Sequence, residues 1–165
     1  MTKRQRIPEL ISEIQGELTL IGKVVNGLAA ASSPPAREKE TRQIYSESLG
    51  LKLHNFYTGL EQIFQKIADD LNRGVPSSRD WHRRLLRSMA LEIAGIRSPV
   101  LGLKTVTRLE EFLAFRHVVR NLYGFELEPG RLRRLAKAAP TAFRAVSGEL
   151  VRFLEFLRAM PTSRD

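Results

Sequence analysis

The chain has 165 residues, 42% of them hydrophobic and 27% charged, with no cysteine and a net charge of +9. That balance suits one soluble globular domain over residues 1–165, and the missing cysteines exclude disulfides, thiolate metal sites and thiol catalysis. The excess of 27 Lys and Arg over 18 Asp and Glu favours an anionic partner: nucleic acid, an acidic protein or a membrane surface.

Pro8 suits the first turn of a helix, and Ile7, Leu10, Ile11, Ile14, Leu18, Ile21, Val25 and Leu28 then recur at helical spacing. Ser32-Ser33-Pro34-Pro35 breaks this first helix, expected near 7–29. A second, long helix is expected from about 37 to 72, with Gly50 and Gly59 marking a bend or a close helix contact. A loop at 74–78 leads to a third helix near 79–95, closed by Gly95 and Ser98-Pro99. A fourth helix is expected over 105–123, with Thr105 or Thr107 as caps. Glu128-Pro129-Gly130 turns into a fifth helix near 131–158, in which Pro140 should begin a new segment or kink the old one. No strand alternation appears. The expected fold is all-α, an up-and-down bundle of four to five helices with frayed ends at about 1–5 and 159–165. No run approaches the ~20 apolar residues of a membrane span, and the charged start lacks a following apolar signal core. The expectation is a cytoplasmic protein with no membrane partner.

Residues 112–127 carry the strongest chemical signal. Arg116, His117, Arg120, Asn121 and Tyr123 crowd into a segment that otherwise reads as a buried helix. At about 100° per residue, Arg116, Arg120 and Tyr123 share one stripe, and His117 and Asn121 form the next. Phe115, Val118, Val119 and Leu122 lie behind, so the helix reads as apolar at the back and cationic in front. Arg and His are the side chains that phosphate chemistry most often needs. Arg83 and Arg84 on the third helix and Arg131, Arg133 and Arg134 on the fifth are candidate contacts to an RNA backbone flanking that face. The same arginines read equally well as solvated helix faces. Arg116 and Arg120 could instead pair with Glu110, Glu111 or Glu126. His54, Trp81 and His82 read as core and helix-contact residues.

Other chemistries are missing. There is no glycine-rich phosphate loop and no Gly-x-Ser-x-Gly elbow. The three histidines, His54, His82 and His117, fall on three different helices without metal-ligand spacing, so no metal and no cofactor is expected.

The 112–127 stretch resembles the signature of the HEPN superfamily, and specifically of HepT-like toxins, whose motif is Arg, four residues, His, one residue, Tyr. Arg116 and Tyr123 occupy the first and last motif positions; Asn121 stands where the central His belongs. Leu53-His54-Asn55-Phe56-Tyr57-Thr58-Gly59-Leu60-Glu61, Asp80-Trp81-His82 and the extension Gly124-Phe125-Glu126-Leu127 are similar to blocks of one HepT-like subgroup, extending the resemblance over about 40–135.

The resemblance implies a metal-independent endoribonuclease acting at a homodimer cleft, encoded beside a minimal nucleotidyltransferase antitoxin. RNA 2′-OH attack on the adjacent phosphorus would need a base and an acid, with Arg116 stabilising phosphate charge. It also implies that the nucleotidyltransferase attaches AMP to Tyr123, blocking the cleft. Asn121 has no titratable group and cannot transfer that proton. His117 could supply the imidazole, Arg116 and Arg120 could act by electrostatics alone, or the protein is an inert HEPN module that binds RNA or its partner without cutting. Taken alone, the +9 charge would also suit an unrelated helical regulator that binds duplex DNA.

Overall fold

The apolar stripes read along the sequence become five helices, seen in a computed structural model that describes residues 3–31, 39–72, 74–121 and 127–160. These are α1 (Lys3–Ala30), α2 (Lys39–Leu71), α3 (Trp81–Ser88), α4 (Leu103–Val119) and α5 (Pro129–Ala159). Among the described residues the fold is all-α, a HEPN-like bundle; the one strand-like feature is an isolated bridge between Ile93 and Arg97. No helix is long and apolar enough to cross a membrane among the described residues.

Helix α2 is the hub and packs against the other four. Leu53, Phe56, Leu60, Ile63, Phe64 and Ile67 on it are buried, each worth about 1.5–3 kcal/mol relative to exposure. Helix α1 runs antiparallel to it. The Arg6 guanidinium meets Asp70 at 2.7 Å and Lys66 meets Glu13 at 3.1 Å near one end, while the Tyr45 hydroxyl donates to the Ala31 carbonyl at the other. Between them the helices touch at Gly59, where a Cβ would stand 2.7 Å from Ile21 Cγ1. Gly59 therefore marks a close contact within one unbroken helix. Phe56 and Phe112 join α2 to α4 edge to face, centroids 5.0 Å apart.

Several boundaries differ from the sequence reading. Helix α1 already begins at Lys3, so Pro8 lies inside it. Helix α3 ends at Ser88, not near 95. Arg97 is the reason: it is buried, and its guanidinium donates to the carbonyls of Ser88, Leu91 and Ser98 and to Asn72 Oδ1, at 2.8–3.1 Å. These carbonyls are thereby satisfied without further helix, and the Met89 carbonyl accepts from Val100 and Leu101 instead. Gly95, at φ +71°, turns the chain between them.

Helix α4 starts at Leu103, and neither expected threonine caps it. Thr107 bonds back to the Leu103 carbonyl, and Thr105 donates to Glu149 on α5. The Glu149 carboxylate also accepts from the Gly102 N–H, so α5 caps α4 from outside, a favourable place for an anion. Helix α5 begins at Pro129, with the Glu128 side chain accepting from the backbone of Gly130 and Arg131. It continues through Pro140 as one element. Ala136, Ala139 and Ala142 are buried on either side, and their packing outweighs the one backbone bond that proline removes.

Candidate functional site

His54, Tyr57 and Glu61 recur on α2 at helical spacing and share a face. They interrupt an otherwise apolar stripe, and α3 and α4 close over them. Glu61 is the centre. Its side chain is 4% exposed, and its two oxygens serve different helices. Oε2 lies 2.7 Å from His82 Nδ1 on α3, and Oε1 lies 3.3 Å from Arg116 Nη2 on α4. With its proton on Nδ1, His82 donates to the carboxylate. Trp81 stacks on the His82 ring at 3.6 Å, and the His117 ring stands edge-on to it at 5.3 Å. Four ionisable groups from three helices thus meet within one cluster.

Burial makes this cluster electrostatically stiff. The His117 imidazole is held below its ordinary value, first by desolvation, then by His82 and Arg116; Glu61 opposes and Arg120 adds a little. His54 is lowered too, by burial and then by Arg116 and Arg120, with Glu61 again opposing. Burial pushes the Tyr57 phenol far above its ordinary range, and the Glu61 charge adds to the shift. Four polar atoms here are sealed from solvent with no partner among the described residues: His54 Nδ1, the Tyr57 hydroxyl, and Arg116 Nε and Nη1. Each such group costs about 1–3 kcal/mol. Buried polar atoms concentrated in this way mark a candidate functional site.

Of the residues singled out in the sequence, Arg116 and His117 enter the cluster, but not as a cationic front. Arg116 is buried and faces α2, while His117 is the more exposed of the two. The acid paired with Arg116 is Glu61; Glu110 is taken by Arg87 at 2.8 Å, and Glu126 lies outside the described residues. Arg120 is exposed at the mouth of a cavity of about 360 Å³, lined also by Gly50, Leu51, His54 and Val119. Asn121 is exposed, and its Nδ2 donates to the His117 carbonyl at 2.9 Å, so its amide finishes its own helix. Tyr123 lies outside the described residues.

Among the flanking arginines, Arg83 and Arg84 are exposed on α3 directly after His82. Arg131 lies over the Phe115 ring at 5.6 Å, next to Arg116 in sequence. Arg133 and Arg134 are exposed on α5. Among the described residues no group of three or more His, Asp or Glu is placed to hold a metal ion. Sequence reasoning missed Glu61 as a site residue. The available signal was an acid at helical spacing from His54 and Tyr57 inside an apolar stripe.

A helical bundle with a shared buried carboxylate, an inward arginine and two adjoining imidazoles is a protein equipped for anion and proton chemistry. The sequence profile of HepT-like proteins matches residues 48–157, and the chain belongs to that family, within the HEPN superfamily. The matched span runs from within α2 to within α5 and leaves α1 outside it. No curated protein and no solved structure matches the chain.

Proposed function

We propose that the protein is the toxin of a toxin–antitoxin pair, a metal-independent endoribonuclease that acts as a homodimer and is held in check by a minimal nucleotidyltransferase. The observation that carries this reading is the Glu61–Arg116 pair with His82 and His117 beside it. The 2′-OH of RNA attacks the adjacent phosphorus, a 2′-O–P bond forms, and the bond to the 5′ oxygen breaks. The products are a 2′,3′-cyclic phosphate and a 5′-OH. Arg116 works from beneath as a fixed positive charge in a medium of low dielectric, where it acts more strongly on a phosphate than in water. Arg83, Arg84, Arg131, Arg133 and Arg134 supply sequence-independent contacts to the RNA backbone. The antitoxin attaches AMP to Tyr123 at the last motif position, and the added phosphate blocks the cleft.

The test is cleavage of a labelled RNA by unmodified protein in EDTA, beside Arg116→Ala and a strand of the same sequence carrying 2′-deoxyribose. RNA should be cut, the deoxy strand should not, and the variant should be impaired. Induced expression should slow growth, and coexpressed nucleotidyltransferase should relieve it while adding AMP to the peptide containing Tyr123. Equal cleavage of both strands, or growth arrest unchanged by Arg116→Ala, overturns the reading.

One observation favours a second reading, an inert module that binds RNA or its partner. Asn121 replaces the motif imidazole and spends its amide on the His117 carbonyl. On that reading Asn121→His creates or raises cleavage. Native protein that already cuts as fast as the histidine variant rules it out.

A further inference from the structure

From the geometry of α2, α3 and α4 we infer that His82, held by Glu61, is a catalytic residue, and that His82 and His117 together perform the proton transfers that Asn121 cannot. This inference rests on the ribonuclease reading above.

A carboxylate bound to one imidazole nitrogen fixes the ring and its tautomer and leaves the other nitrogen for a reacting group. Glu61 does this through His82 Nδ1 at 2.7 Å. His82 Nε2 has no protein partner among the described residues, and the His82 side chain is 12% exposed. Trp81 covers one face of the ring, so His82 has little freedom to turn away. The His117 ring, 5.3 Å away on α4, gives a second imidazole at a separation that lets both reach one phosphodiester. Arg83 and Arg84 follow His82 directly and are exposed.

The step balances without a co-reactant. His117 is held neutral by its surroundings and accepts the 2′-OH proton as the 2′ oxygen bonds to phosphorus. His82, carrying a proton on each ring nitrogen, gives the Nε2 proton to the 5′ oxygen as the P–O bond breaks, while the Nδ1 proton stays hydrogen-bonded to Glu61. Glu61 touches no substrate atom and is a positioning residue.

The experiment uses full-length protein and labelled RNA in EDTA, with His82→Gln, His82→Ala, His117→Gln and Glu61→Gln. Binding is measured on an uncleavable 2′-deoxy strand, and folding by circular dichroism. Each histidine variant should lose about 10²-fold or more in cleavage with binding and helicity retained. Free imidazole should restore His82→Ala at least in part, which a merely structural ring would not allow. Glu61→Gln should lower kcat with KM little changed. If native protein cuts and His82→Gln cuts equally fast, the inference falls and the ribonuclease reading stands. If His82→Ala cuts slowly and imidazole does not restore it, the ring is structural and the inference falls. If unmodified native protein cuts nothing, both fall.

Discussion

Arg116→Ala is the most informative single change, because the buried pair is a structural element as well as a chemical one. Glu61 is 4% and Arg116 10% exposed at the side chain. Breaking a buried ion pair typically costs about 3–5 kcal/mol, because one charge is left without its partner. Two terms soften this. Glu61 keeps His82, and the two unpartnered Arg116 nitrogens, each costing about 1–3 kcal/mol, leave with the side chain. With each nitrogen taken at the lower end, about 1 kcal/mol, the net loss should be about 1–3 kcal/mol, a fall of roughly 2–12 °C in Tm for a chain of this size. Glu61→Leu combined with Arg116→Met should lose less than the two single changes summed, since no charge is stranded. Urea unfolding followed by the helical circular dichroism signal measures native protein, Arg116→Ala, the two other single variants and the double variant. An Arg116→Ala midpoint equal to native, or strictly additive losses, would refute the burial argument. The same number matters for growth assays, where a destabilised toxin and a catalytically dead one look alike.

Acidification should destabilise the protein before its carboxylates titrate. His54 and His117 lie below their ordinary value of 6.5 in the folded chain, so the unfolded chain binds more protons as pH falls. Their contribution is complete above about 6.5 and is lost progressively below it; urea midpoints from pH 8 to 5 should fall, and His54→Gln or His117→Gln should flatten the slope. A native midpoint that stays level or rises on acidification contradicts this. Gly59→Ala should cost about 1–3 kcal/mol, because its Cβ would press on Ile21 Cγ1 in a tight contact. Gly148→Ala, with nothing within 4 Å, should instead gain up to about 1 kcal/mol from helix propensity. Thermal melts that move in the same direction for both would show that the α1–α2 contact is looser than described. Arg97→Met should strand the carbonyls that Arg97 holds, at about 1–3 kcal/mol for each that water cannot reach, and should open residues 88–98 to protease. Unchanged proteolysis there would show that the loop holds itself.

Helix positions were legible in the sequence because a one-sided apolar stripe repeats at 3.6 residues, and α1, α2 and α5 carry long ones. What local pattern cannot carry is competition from distant groups. The pattern near 89–95 is helical enough, but Arg97 takes the carbonyls that a longer α3 would need. Thr105 has the chemistry of a cap, yet Glu149 reaches across from α5 and engages both it and Gly102. Pro140 reads as a break because sequence shows the missing donor and not the packing on either side. The site divides the same way. Arg116 and His117 stand out because two adjacent basic side chains on a buried helix are conspicuous. Glu61 and His82 do not, since one acid in an amphipathic helix and one His beside a Trp are each commonplace. Only the docking of α2, α3 and α4 turns them into neighbours.

The division of the Glu61 carboxylate between two helices has a consequence for how the chain matures. One oxygen waits for a residue 21 positions on, and the other waits for α4, later still. A nascent chain that has emerged only through α3 holds a half-engaged carboxylate and no guanidinium. A chain through α4 still lacks Glu149, which anchors the start of that helix from α5. The cluster is therefore completed late, only once α4 has docked on α2 and α5 holds its start. A copy that stops before α4 keeps the Glu61–His82 half and lacks both the guanidinium and the second imidazole.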